Sequence, residues 1–177
     1  YRLGIGGESP LRPQTAELPA CLENRYLRLH VSSEGKVSLL DKTGGELFED
    51  LLTFTDECDI GHSYNFQAEP EGGIRDIGKT SRVQVQAFSR GMRRVVRTTY
   101  EFESPCGFDF SSKKRSAENV TNRITAEYSL DEFSHGVQVS VTMENHSGEH
   151  RIRAVFNPGI HAEETFASAP FGFERRC

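Results

Sequence analysis

The chain has 177 residues, of which 36% are hydrophobic and 27% are charged. This balance is typical of a folded domain rather than a disordered chain, and the length suits one domain with a substantial core. A formal net charge of -5 argues against a nucleic-acid partner, because such binders concentrate Lys and Arg. No stretch approaches the roughly 20 apolar residues of a membrane helix, so no membrane partner is expected.

Four cysteines, Cys21, Cys58, Cys106 and Cys177, are widely spaced and form no CxxC pair. The spacing argues against a zinc knuckle, and the low cysteine density argues against a disulfide framework. We therefore expect free thiols in a reducing cytoplasm. The first residues contain neither an apolar signal-peptide core nor an initiator Met, so we expect a piece of a longer chain.

Alternation of apolar and polar residues with a period of two dominates the chain and predicts strands with one buried face. In the first strand Leu27, Leu29 and Val31 alternate with polar residues, and a glycine-containing turn at 33–35 leads into the next strand. The further apolar sets are Val83, Val85 and Ala87; Val96, Thr98, Tyr100 and Phe102; Ile124, Ala126, Tyr128 and Leu130; Val137, Val139, Val141 and Met143; Ile152, Ala154 and Phe156; and Phe166, Phe171 and Phe173.

Helical periodicity is almost absent. Only the segment from Gly45 to Phe54 is expected to hold a helical turn, because three leucines there fall near helical spacing. Two stretches are predicted to be loops, Asp56 to Lys79 and Ser104 to Glu118. Successive short strands with turn residues between them predict an all-β fold, an antiparallel β-sandwich that forms a single domain over residues 1–177.

The longer loop carries candidates for chemistry. Asp56, Glu57 and Asp59 are carboxylates, and a glycosidase needs two carboxylates placed across the scissile bond. Nothing in the sequence predicts a pair at catalytic separation, so we interpret them as solvated loop acids. Tyr64 and Phe66 could stack on sugar faces, although ordinary packing is the alternative interpretation.

Two pairs of residues have spacings that metal sites use. Asp59 and His62 form a DxxH pair, and His146 and His150 form an HxxxH pair. The second pair would share one face of a helix, but it falls on a turn between two predicted strands. The chain is therefore expected to hold no metal.

Three stretches of the chain carry motifs that can be compared with known families. The first is Leu22 to Gln67, with an "EN" before a strand, a hairpin, a "D-K-x-T-G"-like turn and an acidic segment that ends in "YN". The second is NHSGEHRIRAVFNPG, Asn145 to Gly159, and the third is FGFERR, Phe171 to Arg176. In this order, the three stretches resemble the C-terminal β domain of glycoside hydrolase family 38 α-mannosidases, and the bacterial branch that includes mannosylglycerate hydrolases is the most similar.

Local chemistry agrees with these motifs. Asp41 is expected to bond nearby backbone amides while Gly44 takes a left-handed or otherwise unfavourable conformation, and Asn145 is expected to cap its own turn. Arg151 and Arg153 alternate with apolar residues and so share one face of a strand. They are predicted to lie on a solvated face or to pair with nearby acids, in preference to contacting sugar.

The resemblance implies a galactose-mutarotase-like supersandwich, truncated here, that accompanies a catalytic barrel and a helical domain. Family enzymes are retaining and use an aspartate nucleophile with a divalent metal, usually zinc, and those motifs lie upstream of this region. The chain is therefore expected to contain no catalytic residue and no cofactor, and to be inactive alone. The implied partners are the missing domains and an α-mannoside.

One loop residue is expected to reach the sugar. In the family an aromatic-rich loop of the β region carries a Tyr toward the substrate, and Tyr64 matches that position, with Asp59 and Asn65 as neighbours that shape the loop. Relatives often have Asp where this chain has His62, which leaves a polar contact from His62 open. In the rival interpretation, Tyr64 and Phe66 anchor the loop against the barrel.

Two other classes of function stay open. A free-standing carbohydrate-binding module would bind sugar without any barrel. A structural interaction module would expose apolar surface and self-associate, as a homo-oligomer. Because sandwiches of this kind normally continue with more strands, we also expect an unpaired sheet edge.

Overall fold

The computed structural model describes residues 20–62, 64–69, 72–90, 93–160 and 162–176. Within these ranges the elements follow in the order β1 Ala20–Glu23, β2 Leu27–Val31, β3 Val37–Asp41, β4 Leu47–Phe48, β5 Leu52–Cys58, β6 Arg75–Asp76, α1 Ile77–Thr80, β7 Arg82–Arg90, β8 Arg93–Pro105, β9 Phe108–Asp109, β10 Lys114–Arg115, β11 Asn119–Ser129, β12 Gln138–Glu144, β13 His150–Phe156, β14 Thr165–Ala169 and β15 Gly172–Arg176.

The strands build three main sheets. The first has the order β1-β2-β3-β4, the second has the order β12-β11-β8-β7, and the third places β5 between β13 and β6. Two small hairpins, β9–β10 and β14–β15, complete the described part of the chain. Every one of these strand pairs is antiparallel, which confirms the predicted all-β antiparallel sandwich.

A single hydrophobic core joins the three sheets, because alternation turns one face of each strand inward. The first sheet contributes Leu22, Leu29, Val31 and Val37, the third contributes Leu52 and Phe54, and the second contributes Val96, Tyr100, Phe102, Ile124, Ala126 and Tyr128. The sets on β8 and β11 are those that the alternation predicted. At the edge strand β12 the inward Val141 stays 44% exposed, so this face is only partly covered by the described residues.

The turn between β2 and β3 requires glycine. Gly35 has a positive φ of 80°, and its N–H donates to the Ser32 carbonyl oxygen over 2.9 Å. Its own carbonyl accepts a 2.8 Å hydrogen bond from the buried Tyr100 hydroxyl. A Cβ at this position would lie 2.7 Å from that hydroxyl. The predicted hairpin is therefore joined to the core through Tyr100.

The prediction of a helical turn between Gly45 and Phe54 was wrong. That segment contains β4 and the start of β5, because its leucines pair with neighbouring strands. The helical turn is α1, where Asp76 caps the helix by accepting from the Gly78 N–H over 3.0 Å. The predicted loop from Asp56 to Lys79 is also shorter, because β5 continues to Cys58 and β6 and α1 lie before its end.

Two further expectations differ in detail. In the turn after β3, Asp41 accepts from the Thr43 N–H over 2.7 Å as expected, but the left-handed residue is Gly45, with a φ of 75°, and not Gly44. In the predicted loop from Ser104 to Glu118, β8 extends through Pro105 and the small β9–β10 hairpin follows it.

The turn after β12 is anchored by buried polar side chains. Asn122, fully buried on β11, accepts from the His146 N–H over 2.7 Å and donates to Ser104 over 3.0 Å. Asn145 accepts from the Ser147 N–H over 3.1 Å, which confirms the predicted cap. These bonds satisfy backbone groups that would otherwise be left unpaired at the junction of two sheets.

Cys21, Cys58 and Cys106 are free thiols, and Cys177 lies outside the described residues. Burial raises the pKa of the Cys58 thiol above its ordinary value. Among the described residues, no helix has the length and apolarity that a membrane crossing would need.

Candidate functional site

The loop that follows β5 folds back on itself as a small hairpin. Bridges pair Asp59 with Ala68 and His62 with Asn65. The backbone N–H of Ile60 donates to the Gln67 carbonyl over 2.9 Å, and the Asn65 N–H donates to the His62 carbonyl over 2.9 Å. We call the described residues of this segment, 59–62 and 64–68, the sugar loop, after the contact that the sequence resemblance predicts for it. Its reversal lies between His62 and Asn65, where Tyr64 is located.

Asp59 closes the base of the sugar loop. Its Oδ1 accepts from the Gly61 N–H over 3.0 Å and from the Gln67 N–H over 3.1 Å, so one carboxylate joins both limbs. These backbone hydrogen bonds, that from Gln67 first, hold the pKa of Asp59 below its ordinary value. Asp59 therefore shapes the loop, because its carboxylate is bonded to the backbone of both limbs.

Gly61 lies where the two limbs approach most closely. A Cβ at this position would collide with the Asn65 carbonyl oxygen, so only glycine fits the path of the backbone. The sequence did not predict this role for Gly61, although the glycine follows the capping residue Asp59 two positions later.

Tyr64 extends from the reversal, and its side chain is 97% exposed. Its N–H donates to Nδ1 of His62 over 3.3 Å, and the two rings lie edge to face at 6.3 Å. An Asp at position 62, as in the resembling family, would offer an acceptor to the same N–H. His62 therefore contributes to the turn, and Asn65 contributes through its backbone pairing with His62.

The interpretation of Asp56 and Glu57 as solvated loop acids was wrong. Both residues lie in β5, with Asp56 0% and Glu57 7% exposed, and alternation directs them to opposite faces of the strand. Glu57 Oε1 accepts from Nε and Nη2 of Arg151 over 3.0 and 2.7 Å. Nη2 of Arg153 forms an ion pair with the same oxygen at 2.8 Å. The predicted pairing of these arginines with a nearby acid is confirmed.

Asp56 is held by Arg115 and His150 on the inner face of the strand. Its Oδ2 accepts from Nη1 of Arg115 over 3.0 Å, and its Oδ1 lies 2.8 Å from Nδ1 of His150. Burial alone would raise the pKa of Asp56, but the hydrogen bonds from His150 and Arg115 outweigh it and the pKa lies below its ordinary value. Nε2 of His150 is 2.9 Å from Oδ1 of Asn145, so the whole imidazole is engaged.

These contacts occupy three of the four side chains that the sequence spacing had offered as metal ligands. Asp59 binds backbone amides, His62 accepts from Tyr64, and His150 bonds to Asp56. Within the described ranges, no group of three or more His, Cys, Asp or Glu residues is arranged to hold a metal ion.

The sugar loop also has a cation on its return limb. The guanidinium carbon of Arg151 lies 3.4 Å above the ring centroid of Phe66, two residues after Tyr64. Phe66 keeps 37% of its surface exposed. Sequence reasoning placed Arg151 on this face of the strand but did not connect it to Phe66, which is 85 positions earlier in the sequence.

The described residues thus form an antiparallel β-sandwich with one structured loop after β5. Residues 22–177 match the profile described as the glycosyl hydrolases family 38 C-terminal domain. The chain belongs to this family, in agreement with the sequence resemblance.

Similar proteins support this assignment. A protein of Halalkalibacterium halodurans with the provisional name mannosylglycerate hydrolase is 25% identical over 150 residues, which cover 76% of this chain and 17% of that protein. The crystal structure of an alpha-mannosidase from Enterococcus faecalis V583 matches 92% of this chain with a TM-score of 0.78 at 21% identity. A family 38 protein from Enterococcus faecalis matches 93% with a TM-score of 0.77 at 22% identity. At these identities the two structures show the fold alone, and the chain spans 20% and 21% of their lengths.

Proposed function

We propose that this chain is the accessory, non-catalytic β domain of a retaining α-mannosidase, and that Tyr64 extends from it toward the sugar in the catalytic domain. The observation that carries the proposal is the 97% exposure of Tyr64 on a loop fixed by its own hydrogen bonds. A large side chain on an ordered backbone is suited to contact, because little conformational freedom remains to be lost when the contact forms.

The carboxylates of the loop region support an accessory role. A retaining glycosidase needs two carboxyl groups about 5–5.5 Å apart that face one glycosidic bond. Asp56 and Glu57 face opposite sides of β5, and each is neutralised by Arg or His partners. Asp59 accepts two backbone N–H groups. The three acids therefore form hydrogen bonds that hold the fold and the loop together. We infer that the chain alone hydrolyses no glycoside.

The substrate contact that we propose is a hydrogen bond from the Tyr64 hydroxyl to a hydroxyl of an α-mannoside. Asp59 and Asn65 belong to this substrate-binding set because they hold the two limbs that carry Tyr64. The name of the Halalkalibacterium relative points to a mannosylglycerate-type substrate, and the alpha-mannosidase from Enterococcus faecalis points to α-mannosides.

The metal of the longer enzyme, zinc by family resemblance, would be held outside this chain. The described residues do not fit a zinc site, since they bring together no group of three or more side chains of the types that bind zinc. The role proposed for Tyr64 therefore involves no metal held by these residues.

The partners that we propose are the catalytic and helical domains of the same longer protein, in a cytoplasmic setting that suits three free thiols. The exposed aromatic side chains of the last hairpin and the strand before it support such a contact. These are Phe156, Phe166, Phe171 and Phe173, which are 57% to 109% exposed. A homo-oligomer formed through the same side chains is the alternative, and sedimentation of the chain at high concentration separates the two.

A free-standing carbohydrate-binding module is less well supported. Such a module needs an open aromatic face for sugar stacking, but the described face of Phe66 is covered by Arg151. Tyr64 remains as an exposed side chain at the reversal, which suits one contact within a larger site.

The test uses two preparations. The purified chain is expected to show no turnover of an aryl α-mannoside, and the longer enzyme with Tyr64→Phe is expected to lose about three- to tenfold in kcat/KM, the value of one neutral hydrogen bond. Tyr26→Phe, the same chemical change outside the loop, is the control. Turnover by the chain alone, or an unchanged kcat/KM in Tyr64→Phe, would overturn the proposal.

A further inference from the structure

The sugar loop is connected to the sandwich by a stack of three side chains from three segments. Glu57 belongs to β5, Arg151 belongs to β13, and Phe66 belongs to the return limb of the loop. Glu57 and Arg151 are direct cross-strand partners in the antiparallel register. We define these three residues as the arginine clamp.

The guanidinium of Arg151 uses two different surfaces at once. Its edge donates from Nε and Nη2 to one oxygen of Glu57, and its flat face covers the Phe66 ring with 3.4 Å between carbon and ring centroid. A planar guanidinium can do both, whereas the ammonium of Lys presents a point charge without a face. Glu57, 7% exposed, fixes the plane in which Arg151 lies.

Phe66 transmits this restraint to the tip of the loop. The residue lies between Asn65, whose backbone pairs with His62, and Gln67, whose backbone pairs with Ile60 and Asp59. The first limb is tied to the neighbouring segment by the Asp59 N–H, which donates to the Glu149 carbonyl over 2.9 Å. The contact of Phe66 with Arg151 restrains the return limb, so its loss is expected to let that limb move away and open the hydrogen bonds between the two limbs.

We propose that Arg151, oriented by Glu57, is a positioning residue that sets the direction of Tyr64 through Phe66. The proposal rests on the proposed function, since the purpose of the restraint is to hold Tyr64 at the sugar. Arg151 itself need not touch the substrate. Its effect on catalysis passes entirely through the loop.

The first experiment measures the loop without any sugar. Amide hydrogen exchange at Ile60 and Gln67 is compared in the chain, in Arg151→Gln and in Phe66→Leu, and both variants are expected to exchange roughly three- to tenfold faster. Arg153→Gln is the matched control, because Arg153 also forms an ion pair with Glu57, whereas the cation on the Phe66 ring is Arg151. Phe66→Tyr keeps the ring and is expected to restore protection.

The second experiment is a double-mutant cycle in the longer enzyme. If Arg151 acts through Tyr64, then Arg151→Gln combined with Tyr64→Phe lowers kcat/KM no further than Tyr64→Phe alone. Additive losses would overturn the proposal, because they would show a direct or a general structural role for Arg151.

The two proposals fail in different ways. Unchanged exchange in Arg151→Gln and Phe66→Leu, or an equal increase in Arg153→Gln, would overturn the clamp. Faster loop exchange together with an unchanged kcat/KM in Tyr64→Phe would retain the clamp as a feature of the loop and overturn the proposed sugar contact.

Discussion

Asp56 and Glu57 are adjacent in β5, yet their carboxylates lie on opposite faces of the sheet and bind different side chains. Asp56 faces the interior and bonds to Arg115 and His150, whereas Glu57 faces outward and bonds to Arg151 and Arg153. One dipeptide therefore joins β10, β13 and, through Arg151, the sugar loop. Asp56 therefore stabilises the interior, whereas Glu57 orients the arginine that contacts the sugar loop.

Removal of the inner carboxylate is expected to destabilise the fold. Asp56→Ala leaves the Arg115 guanidinium near the interior without its counter-charge and the His150 ring without a hydrogen-bond partner, which costs about 3–5 kcal/mol of the free energy of unfolding. Urea denaturation at pH 7 measures this loss. Asp131→Ala is the control, because its pair with Arg93 is exposed and contributes about 0–1 kcal/mol. An equal loss of unfolding free energy in the two variants would contradict the structural role assigned to Asp56.

The same pair predicts a dependence on acid pH. Because the pKa of Asp56 is lower in the folded chain than its ordinary value of 3.8, the unfolded chain binds the proton first as the pH falls. The stabilisation of the fold by ionised Asp56 is therefore complete at pH values above the ordinary pKa of 3.8, and it is lost as the pH falls through the lower pKa of the folded chain. The difference in unfolding free energy between the chain and Asp56→Ala should shrink over that range. A constant difference would contradict the prediction.

Gly61→Ala is expected to disrupt the sugar loop while the sandwich stays folded. The added Cβ collides with the Asn65 carbonyl oxygen, so the hydrogen bonds between the two limbs cannot all be kept. Amide exchange at Gln67 should rise, and kcat/KM of the longer enzyme should fall at least as far as in Tyr64→Phe. Gly73→Ala is the matched control, because a Cβ there meets nothing within 4 Å. Equal exchange in the two variants would show that the limbs can adjust.

Position 62 is expected to tolerate any acceptor that reaches the Tyr64 N–H. His62→Asp should keep the protection of that amide, whereas His62→Leu should raise its exchange by about fivefold, the value of one neutral hydrogen bond. Proton exchange observed by NMR gives both values. Faster exchange in both variants would mean that the imidazole ring itself is required.

Tyr100 predicts a loss of stability at alkaline pH. Burial raises the pKa of Tyr100 to about 12, from an ordinary value of 10.0. The unfolded chain therefore ionises first as the pH rises above 10, and the free energy of unfolding falls. Tyr100→Phe should weaken this slope, and at pH 7 it should cost about 1–3 kcal/mol because the Gly35 carbonyl loses its donor. Exposed Tyr64→Phe should change neither value.

The sandwich was predictable because its strands carry their own signal. On β8 the residues Val96, Thr98, Tyr100 and Phe102 alternate with polar neighbours, and all four are buried. Alternation is local information, so a single sequence suffices. The position of the helical turn was predicted wrongly because the local signal is missing there. The helix α1 spans only Ile77–Thr80, which is too few residues for a helical period to appear.

The environment of the acids was not predictable in this way. Asp56 bonds to residues 59 and 94 positions away, and Glu57 bonds to Arg151, also 94 positions away. Nothing local distinguishes a carboxylate with distant cation partners from a solvated one. Tyr64 was located through a motif, but its connection to Arg151 through Phe66 depends on strand pairing that only the fold supplies.

The bridge between Asp59 and Ala68 means that the sugar loop leaves the domain and returns to it at one point. A segment whose ends already meet can change in length or composition at little cost to the strands beneath it. The tip of the loop can therefore be exchanged for another sequence without disturbing the strands. Evolution, or an engineer, can replace its tip with another while Asp59 and Arg151 keep the base of the loop in place.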